Sequence, residues 1–225
     1  MIHPMAQSRF LTFTVLAGLL VLSGCSSGGG KSTTQPPPPP GTTITALVPA
    51  RTVVGDTVIV EGSALGATQG TSQVLFSGAG GTLAATVTAG GWSDTSIRVL
   101  VPGGAASGPV VVQKDRTNSN SSTFDVATQV VTYSNDLGTI FEVHGCASCH
   151  GGQNNLFLIP RSALLRGDSF HGPVVIRRRS GESVLVQKVN PNPPFGARMP
   201  YLSAPLSEVE IQTISDWIDQ GTRDN

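Results

Sequence analysis

One stretch of the chain combines residue types and spacing that permit specific chemistry: the Cys-Ala-Ser-Cys-His sequence at positions 146–150. Two thiols separated by two residues and followed at once by an imidazole have the spacing for covalent haem attachment. On one turn of helix, Cys146 and Cys149 can form thioethers with the two vinyl groups of a porphyrin, and His150 can bind the iron as the proximal ligand. The sequence therefore predicts one covalently bound haem c.

Cysteine pairs with this spacing also occur in redox-active and zinc-binding proteins. A redox pair is expected within a thioredoxin-like βαβ setting, and a tetrahedral zinc site needs two further ligands, usually from a second Cys-rich motif. Neither pattern occurs in a chain with three cysteines, the third being Cys25. The context of the motif therefore favours haem attachment over both alternatives.

Two predicted helices, one before the motif and one at the end of the chain, are expected to position it. The first is expected to begin around 134–136, where Ser, Asn and Asp side chains can cap it, and its apolar face of Leu137, Ile140 and Phe141 leads towards Cys146. The last has a capping box at 207–210 and an apolar period with Trp217 beside it. Gly221 stands where a C-cap glycine is expected.

With these features, the chain from about Val130 to the C-terminus resembles the c-type cytochromes. The resemblance implies a mostly α haem domain at residues 129–225, in which a first helix ends in the haem motif and a last helix packs across it. Apolar residues between 172 and 189 are then expected to line the ring: Val174, Val175, Ile176, Val184, Leu185 and Val186.

The resemblance also implies a distal ligand from a loop, and Met199 fits that role. Met1 and Met5 belong to the predicted export segment, so Met199 is the only methionine expected in the mature protein. It lies in a Pro/Gly-rich loop before the last helix. A gap-filling core methionine is the alternative role. His171 is the rival ligand, because His144 is too close to the motif to reach the opposite side of the iron.

The run of three arginines at 177–179 is the only long run of charge. Such runs are usually solvated faces. The alternative is a partner for haem propionates or a docking patch, since guanidinium groups match carboxylates in geometry.

The N-terminus predicts export and lipidation. Residues 1–24 read as a signal peptide with a short apolar core after Arg9, and Leu-Ser-Gly-Cys at 22–25 resembles the bacterial lipoprotein box, in which Cys25 is acylated. An ordinary signal peptide with an unrelated cysteine is the alternative. Residues 25–42 then form a Gly/Ser/Pro tether, whose prolines at 36–40 span about 15 Å when extended. A proline-rich recognition ligand is the competing interpretation of this segment.

The middle of the chain, residues 43–128, shows short β-like runs separated by glycine-containing turns. Seven strands are predicted, with no helical period between them, which indicates an antiparallel sandwich. They are expected at Thr43–Leu47, Thr57–Glu61, Gln73–Phe76, Leu83–Thr88, Ser96–Val101, Val110–Gln113 and Thr123–Val126.

Several phrases in this module resemble the IPT/TIG family of immunoglobulin-like domains, including Val-Gly-Asp-Thr-Val at 54–58 and Trp-Ser-Asp-Thr-Ser-Ile at 92–97. The resemblance implies a spacer or a binding module for a polysaccharide or a partner protein. Trp92 could be an exposed sugar platform, but packing in the core or a turn is the more common role. No catalytic constellation is found in the module.

Composition narrows the function. A formal net charge of zero argues against a nucleic-acid partner, because phosphate binding needs an excess of basic residues. We therefore predict two domains, an all-β immunoglobulin-like sandwich followed by a mostly α haem domain. The predicted function is electron transfer between redox partner proteins, without enzymatic activity, at a lipid-anchored position in the bacterial envelope, the outer membrane being favoured. The alternative function is a surface binding protein whose sandwich recognises a polysaccharide or partner protein, with the haem domain as accessory or sensor.

Overall fold

The computed structural model describes residues 41–152 and 156–224. The predicted signal peptide, Cys25 and nearly all of the predicted tether lie outside these residues. Within the described ranges, no helix has the length and apolar character needed to cross a membrane.

Residues 43–126 form a two-sheet sandwich. One sheet has the order β1 (Thr43–Val48), β3 (Thr57–Ser63), β7 (Ser96–Leu100) and β6 (Thr86–Trp92). The other has the order β2 (Arg51–Thr52), β10 (Ser122–Val126), β8 (Gly108–Lys114), β4 (Gln73–Gly78) and β5 (Gly81–Ala84), with β9 (Thr117–Asn118) pairing with β8. A strand lies in each of the seven predicted places. Alternating apolar residues explain this agreement, because each strand buries one face between the sheets.

The core of the sandwich is closed and apolar. Alternate residues of the facing strands have no exposed surface, as the pairs Val58 and Val60, Val74 and Phe76, and Ile97 and Val99 illustrate. Phe76 and Phe124 meet edge to face, with ring centroids 5.1 Å apart. Such a geometry is favourable for aromatic rings, and here it joins β4 and β10 of the same sheet on the face that is buried in the core.

The segment predicted as a single strand at Leu83–Thr88 divides between the two sheets. Residues up to Ala84 pair with β4, and residues from Thr86 pair with β7. The Ala85 amide donates to the Val74 carbonyl at 2.8 Å where the chain crosses over. A strand that changes sheets keeps one continuous β-like pattern in sequence, so the crossover has no local signal.

The C-terminal part is helical, but its helices are short and separated by irregular segments. They are α1 (Gly138–Val143), α2 (Cys146–Cys149), α3 (Arg161–Leu164), α4 (Val184–Val189) and α5 (Glu208–Asp219), with a 3₁₀ turn at Ser180–Glu182. A small hairpin pairs β11 (Asp168–Ser169) with β12 (Gly172–Pro173). The prediction of a mostly α domain therefore overstated the helical content, and the chain as a whole is mostly β.

The first predicted helix starts with a wide π-helical segment at Tyr133–Leu137 that continues into α1. Asp136 accepts hydrogen bonds from the Thr132 amide at 2.7 Å and hydroxyl at 3.1 Å, so it contributes to the helix start. Leu137, Ile140 and Phe141 are buried as predicted. The helix ends at Val143, however, and the Cys-Ala-Ser-Cys segment of the motif forms a separate short helix.

The structure confirms the predicted last helix, which is α5. Ser207 accepts from the Glu210 amide, and the Glu210 carboxylate accepts from the Ser207 amide, which completes the capping box. Ile214, Trp217 and Ile218 are fully buried, and Gly221 follows the helix with a φ of +86°. The helix therefore forms the centre of the C-terminal core.

Two of the three arginines in the run contact the sandwich, which neither prediction for the run contained, whereas Arg177 is exposed as expected for a solvated face. Arg178 donates to the Thr57 carbonyl at 2.7 Å, and Arg179 pairs with Glu61 at 2.6 Å and with Glu182 at 2.8 Å. Neither side chain lines the cavity described below. Because strand β3 supplies the partners, the sequence around 177–179 gives no local indication of this interface.

Two further ion pairs join the sandwich to the C-terminal part. Arg51 of β2 donates to Asp216 of α5 at 2.8 Å, and Arg223 pairs with Asp56. The Asp216 side chain is 10% exposed, which makes its pairing matter more than a surface ion pair would. Both parts belong to one compact unit.

Candidate functional site

A left-handed glycine starts the motif. Gly145 has a φ of +60° between α1 and α2, a conformation that glycine adopts without steric cost. Its carbonyl accepts from the Ser148 hydroxyl at 2.6 Å and amide at 3.1 Å, and the His150 amide donates to the Cys146 carbonyl at 3.1 Å. These bonds hold the two thiols and the imidazole on one turn of chain.

His144 is committed to another contact. Its Nε2 atom lies 2.8 Å from a carboxylate oxygen of Glu210 on α5. The hydrogen bonds from His144 and Ser207 lower the pKa of Glu210 to about 2. This pair ties the chain before the motif to the N-terminus of α5, which agrees with leaving His144 out of the ligand candidates.

The motif opens onto a large apolar cavity of about 720 Å³. Both cysteines, His150 and Met199 line it, although Met199 lies far along the chain from the motif. Most of the remaining wall is aliphatic or aromatic, and includes Ile140, Phe141, Leu158, Val174, Leu185 and Ile214. A cavity of this size and character fits a large apolar cofactor with a few polar contacts.

Three of the six apolar residues expected to line a ring between 172 and 189 do line this cavity: Val174, Val184 and Leu185. Val175 and Val186 belong to the buried core instead. Ile176 is half-buried outside both sets. The expectation was therefore correct for half of the set, because a chain that turns between a hairpin and a short helix presents only some side chains to one side.

The His150 ring lies at the cavity wall. Its Nδ1 atom is buried and has no hydrogen-bond partner in the described part of the chain. Burial lowers the pKa of His150, which favours the neutral imidazole. A neutral imidazole is the form that binds a metal, so the chemistry of this side chain fits a ligand role.

The two thiols do not have the features of a reactive pair. Both are free, with Cys146 half-buried and Cys149 exposed. Burial raises the pKa of the Cys146 thiol, whereas redox-active and nucleophilic cysteines have lowered values. The described residues also contain no group of three or more His, Cys, Asp or Glu placed to hold a metal ion, as a zinc site would need.

Met199 reaches the cavity from a loop that a lysine holds. The Met199 amide donates to the Lys188 carbonyl at 2.8 Å. The Lys188 ammonium donates to the carbonyls of Phe195, at 3.0 Å, and Ala197. It also lies 5.3 Å from the centroid of the Phe195 ring. Met199 itself is half-buried and packs against the C-terminal core.

His171 lines the same cavity, so both candidate distal ligands are in reach of it. It lies in the turn of the β11–β12 hairpin and stacks on Phe195, with ring centroids 3.7 Å apart and an angle of 13° between the planes. Its neighbour Phe170 is fully exposed, and Tyr201 is 61% exposed, at the cavity wall.

Sequence reasoning missed Lys188 and Phe195. The charged side chains that line the cavity are Lys188 and Asp168. The arginines at 177–179 are not among the lining residues. A lysine in the last turn of a short helix has no signal of its own in sequence. The Pro/Gly-rich character of 191–200 was the available clue, because a loop of that kind needs backbone partners from elsewhere.

Trp92 has the packing role rather than the sugar-platform role. Its indole N–H donates to the Gly66 carbonyl at 3.0 Å, and the ring packs partly against the sandwich core. A half-buried indole whose N–H is used in this way holds the turn between β3 and β4 against β6.

These observations define a two-part protein, with an immunoglobulin-like sandwich and a helical part around an apolar cavity. An IPT/TIG domain is found at residues 42–126, in agreement with the family resemblance of the sandwich. The family match ends before the Cys-Ala-Ser-Cys-His motif. No curated protein matches the chain.

Two solved structures from Bacteroides thetaiotaomicron VPI-5482 are similar to part of the chain. One is a structural genomics protein of unknown function, with 22% sequence identity and a TM-score of 0.36. The other is described as an auxiliary nutrient binding protein, with 17% identity and a TM-score of 0.35. Each match covers 40% of this chain and 22% of the other chain, so this chain spans about a fifth of either protein.

Proposed function

We propose that residues 129–225 bind one haem c covalently and transfer electrons in the bacterial cell envelope. The observation that carries this proposal is the cavity, in which Cys146, Cys149, His150 and Met199 meet within apolar walls. Cys146 and Cys149 would hold the porphyrin by thioethers, and His150 and Met199 would be the axial ligands of the iron. When bound, haem would supply a one-electron couple between ferric and ferrous iron.

The chain's own residues favour the reduced state of such a couple. Aliphatic and aromatic walls lower the dielectric on the buried side of the cavity, and a low dielectric disfavours the extra positive charge of the oxidised centre. A thioether from Met199 favours the reduced metal more than a second imidazole from His171 does. Burial keeps the His150 imidazole in its neutral, ligating form. We therefore expect a higher potential with Met199 as ligand than with His171.

A carrier without enzymatic activity follows from filling both axial positions, because no open site then remains for a substrate. Its partners would be other redox proteins. The predicted signal peptide and acylated Cys25 would place it on an envelope membrane, with the outer membrane favoured. The ion pairs between the sandwich and the C-terminal part would keep the IPT/TIG domain at a fixed position beside the redox site.

A potentiometric titration followed by absorbance tests this function. The wild-type protein should titrate reversibly with one electron, show a weak near-infrared sulfur-to-iron band when oxidised, and exclude carbon monoxide when reduced. Met199→Ala should lower the potential, remove the band and admit carbon monoxide, while the covalent attachment survives. His171→Ala is the matched control and should leave all three unchanged. If His171→Ala alters them and Met199→Ala does not, His171 is the ligand.

The IPT/TIG domain supports a second candidate, a surface binding protein that recognises a polysaccharide or a partner protein. Trp92 packs partly against the sandwich core and its N–H is bonded to Gly66, which favours recognition by another face of the sandwich. Binding of the full chain to an array of bacterial and plant glycans, with Trp92→Phe as a variant, tests this candidate. Tight binding without any bound haem would favour it over electron transfer.

A further inference from the structure

We propose that Lys188 is a positioning residue that fixes the loop 195–199 and thereby holds the Met199 thioether at the cavity. The inference rests on the proposed function for the identity of the group in the cavity, but the clamp itself belongs to the chain. The cation lies at the centre of the loop rather than on the solvent side, as its contacts with Phe195, Ala197 and the aromatic ring indicate.

The loop is built around the ammonium. Lys188 binds the loop through its own carbonyl, which accepts the Met199 amide, and through its Nζ atom, which donates to two loop carbonyls. No carboxylate within the described residues pairs with Lys188. Its charge is therefore used on backbone carbonyls, and hydrogen bonds from a charged donor are about twice as strong as neutral ones.

Gly196 supports the same conclusion independently. Its φ is +59°, and a Cβ atom at this position would lie 3.3 Å from the Lys188 Nζ atom. The loop thus passes close to the ammonium at the residue that has no side chain. The positive φ and the short distance to the ammonium both favour glycine at position 196, between the two residues whose carbonyls Lys188 binds.

Phe195 is contacted by both Lys188 and His171, and this links the loop to the choice of ligand. Its carbonyl is held by Lys188, and its ring stacks on His171. Release of the loop would free Met199 and at the same time remove the ring against which His171 is held. Lys188 therefore stabilises the arrangement in which Met199 is the loop's contribution to the cavity and His171 is packed at its side.

Lys188→Leu tests the clamp, because it keeps part of the aliphatic stem, removes the charge and the donors, and adds no second thioether at the cavity wall. Lys114→Leu is the matched control, since Lys114 also donates to a backbone carbonyl, that of Ala64, but within the sandwich. Gly196→Ala disturbs the loop without changing the lysine. Two readouts are needed: hydrogen exchange of the 195–199 amides, and the near-infrared band with carbon monoxide binding.

We expect Lys188→Leu and Gly196→Ala each to accelerate exchange at the Met199 amide by about tenfold or more, because two charge-assisted hydrogen bonds are lost or displaced. Both should weaken the sulfur-to-iron band and admit carbon monoxide, whereas Lys114→Leu should do neither. Unchanged exchange in Lys188→Leu overturns the clamp. Faster exchange with an unchanged band and no carbon monoxide binding overturns its role in ligation. A wild-type protein without haem would instead refute the proposed function and leave the clamp to the exchange measurement.

Discussion

The sandwich and the C-terminal part achieve order in different ways. The sandwich closes an apolar core between two paired sheets, and core side chains such as Phe76 and Phe124 are fully buried. The C-terminal part surrounds a cavity of about 720 Å³ with short helices and loops that depend on side-chain to backbone hydrogen bonds. The core of the sandwich is filled by its own side chains, whereas the C-terminal part is arranged around a space that a ligand can fill.

The largest effect that separates the two regions is expected for Trp217→Ala. Trp217 is fully buried among Tyr133, Phe141 and Ile214, in a core cluster separate from that of the sandwich. Removing it should cost about 3–5 kcal/mol, as for other buried aromatic residues. Hydrogen exchange should show the loss in α1 and α5, with β3 and β7 retaining their protection.

Phe124→Ala is the matched control in the sandwich, where Phe124 is also fully buried. It should reduce protection in β4 and β8 by a similar amount and affect α5 less. Equal loss of protection in both regions for both variants would mean that the two parts unfold only together, and would contradict the contrast drawn here.

A smaller effect is expected from pH, through the buried Asp219. Burial raises the pKa of this carboxyl to about 6 from the ordinary 3.8, although Ser180 donates to it through its amide and its hydroxyl. The folded protein therefore binds this proton more tightly than the unfolded chain. Stability from this group is present below about pH 4 and is lost as pH rises to about 6, a decline of about 2–3 kcal/mol.

Asp219→Asn should remove this decline and make the protein more stable than wild type at pH 7, as measured by urea unfolding between pH 3.5 and 7. Glu210→Gln is the control on the same helix. The pKa of Glu210 is lowered to about 2, so its contribution is present above pH 4.5 and is lost only as pH falls towards 2. The Glu210→Gln protein should still lose stability between pH 4 and 6. If it does not, Asp219 is not the carboxyl responsible for that loss.

The smallest effect is expected at the junction between the regions. Arg51→Met removes the partner of Asp216, which is 8% exposed and retains only the Gln212 amide as a donor. We expect a cost of about 1–2 kcal/mol, because Arg51 is itself partly exposed and water can replace some of the interaction. Arg98→Met, at an exposed position of β7, should change the free energy of unfolding little. Equal costs for both variants would remove any special role for the junction.

Sequence predicted the regular parts well because their signals are local. The central strands of the sandwich, such as β3, β4, β7 and β8, bury alternate residues, and α5 carries its capping box and apolar period in one continuous segment. The crossover at Ala85 and the sandwich contacts of Arg178 and Arg179 escaped prediction, because each depends on a partner distant in sequence that a local pattern does not contain. The end of α1 also escaped prediction, although its cause is local, the left-handed Gly145.

The candidate site likewise contains residues that the sequence predicted and residues that it did not. The motif at 146–150 and Met199 were chosen from residue type and spacing, and the structure brings them to one cavity. Lys188 and Phe195 were missed because their role lies in the backbone carbonyls and the ring that they contact. The choice of Met199 rather than His171 as the ligand of a haem iron stays a prediction, since both side chains reach the cavity.

The central claim is that the motif carries covalent haem, and mass spectrometry of the exported protein tests it most directly. The protein should be produced in a bacterial host with its haem-attachment machinery, and the peptide that contains residues 146–150 isolated after proteolysis and acid-acetone extraction. We predict that this peptide carries the mass of one haem and that Cys146→Ala with Cys149→Ala abolishes it. An unmodified wild-type peptide, with all haem extracted, would contradict the account.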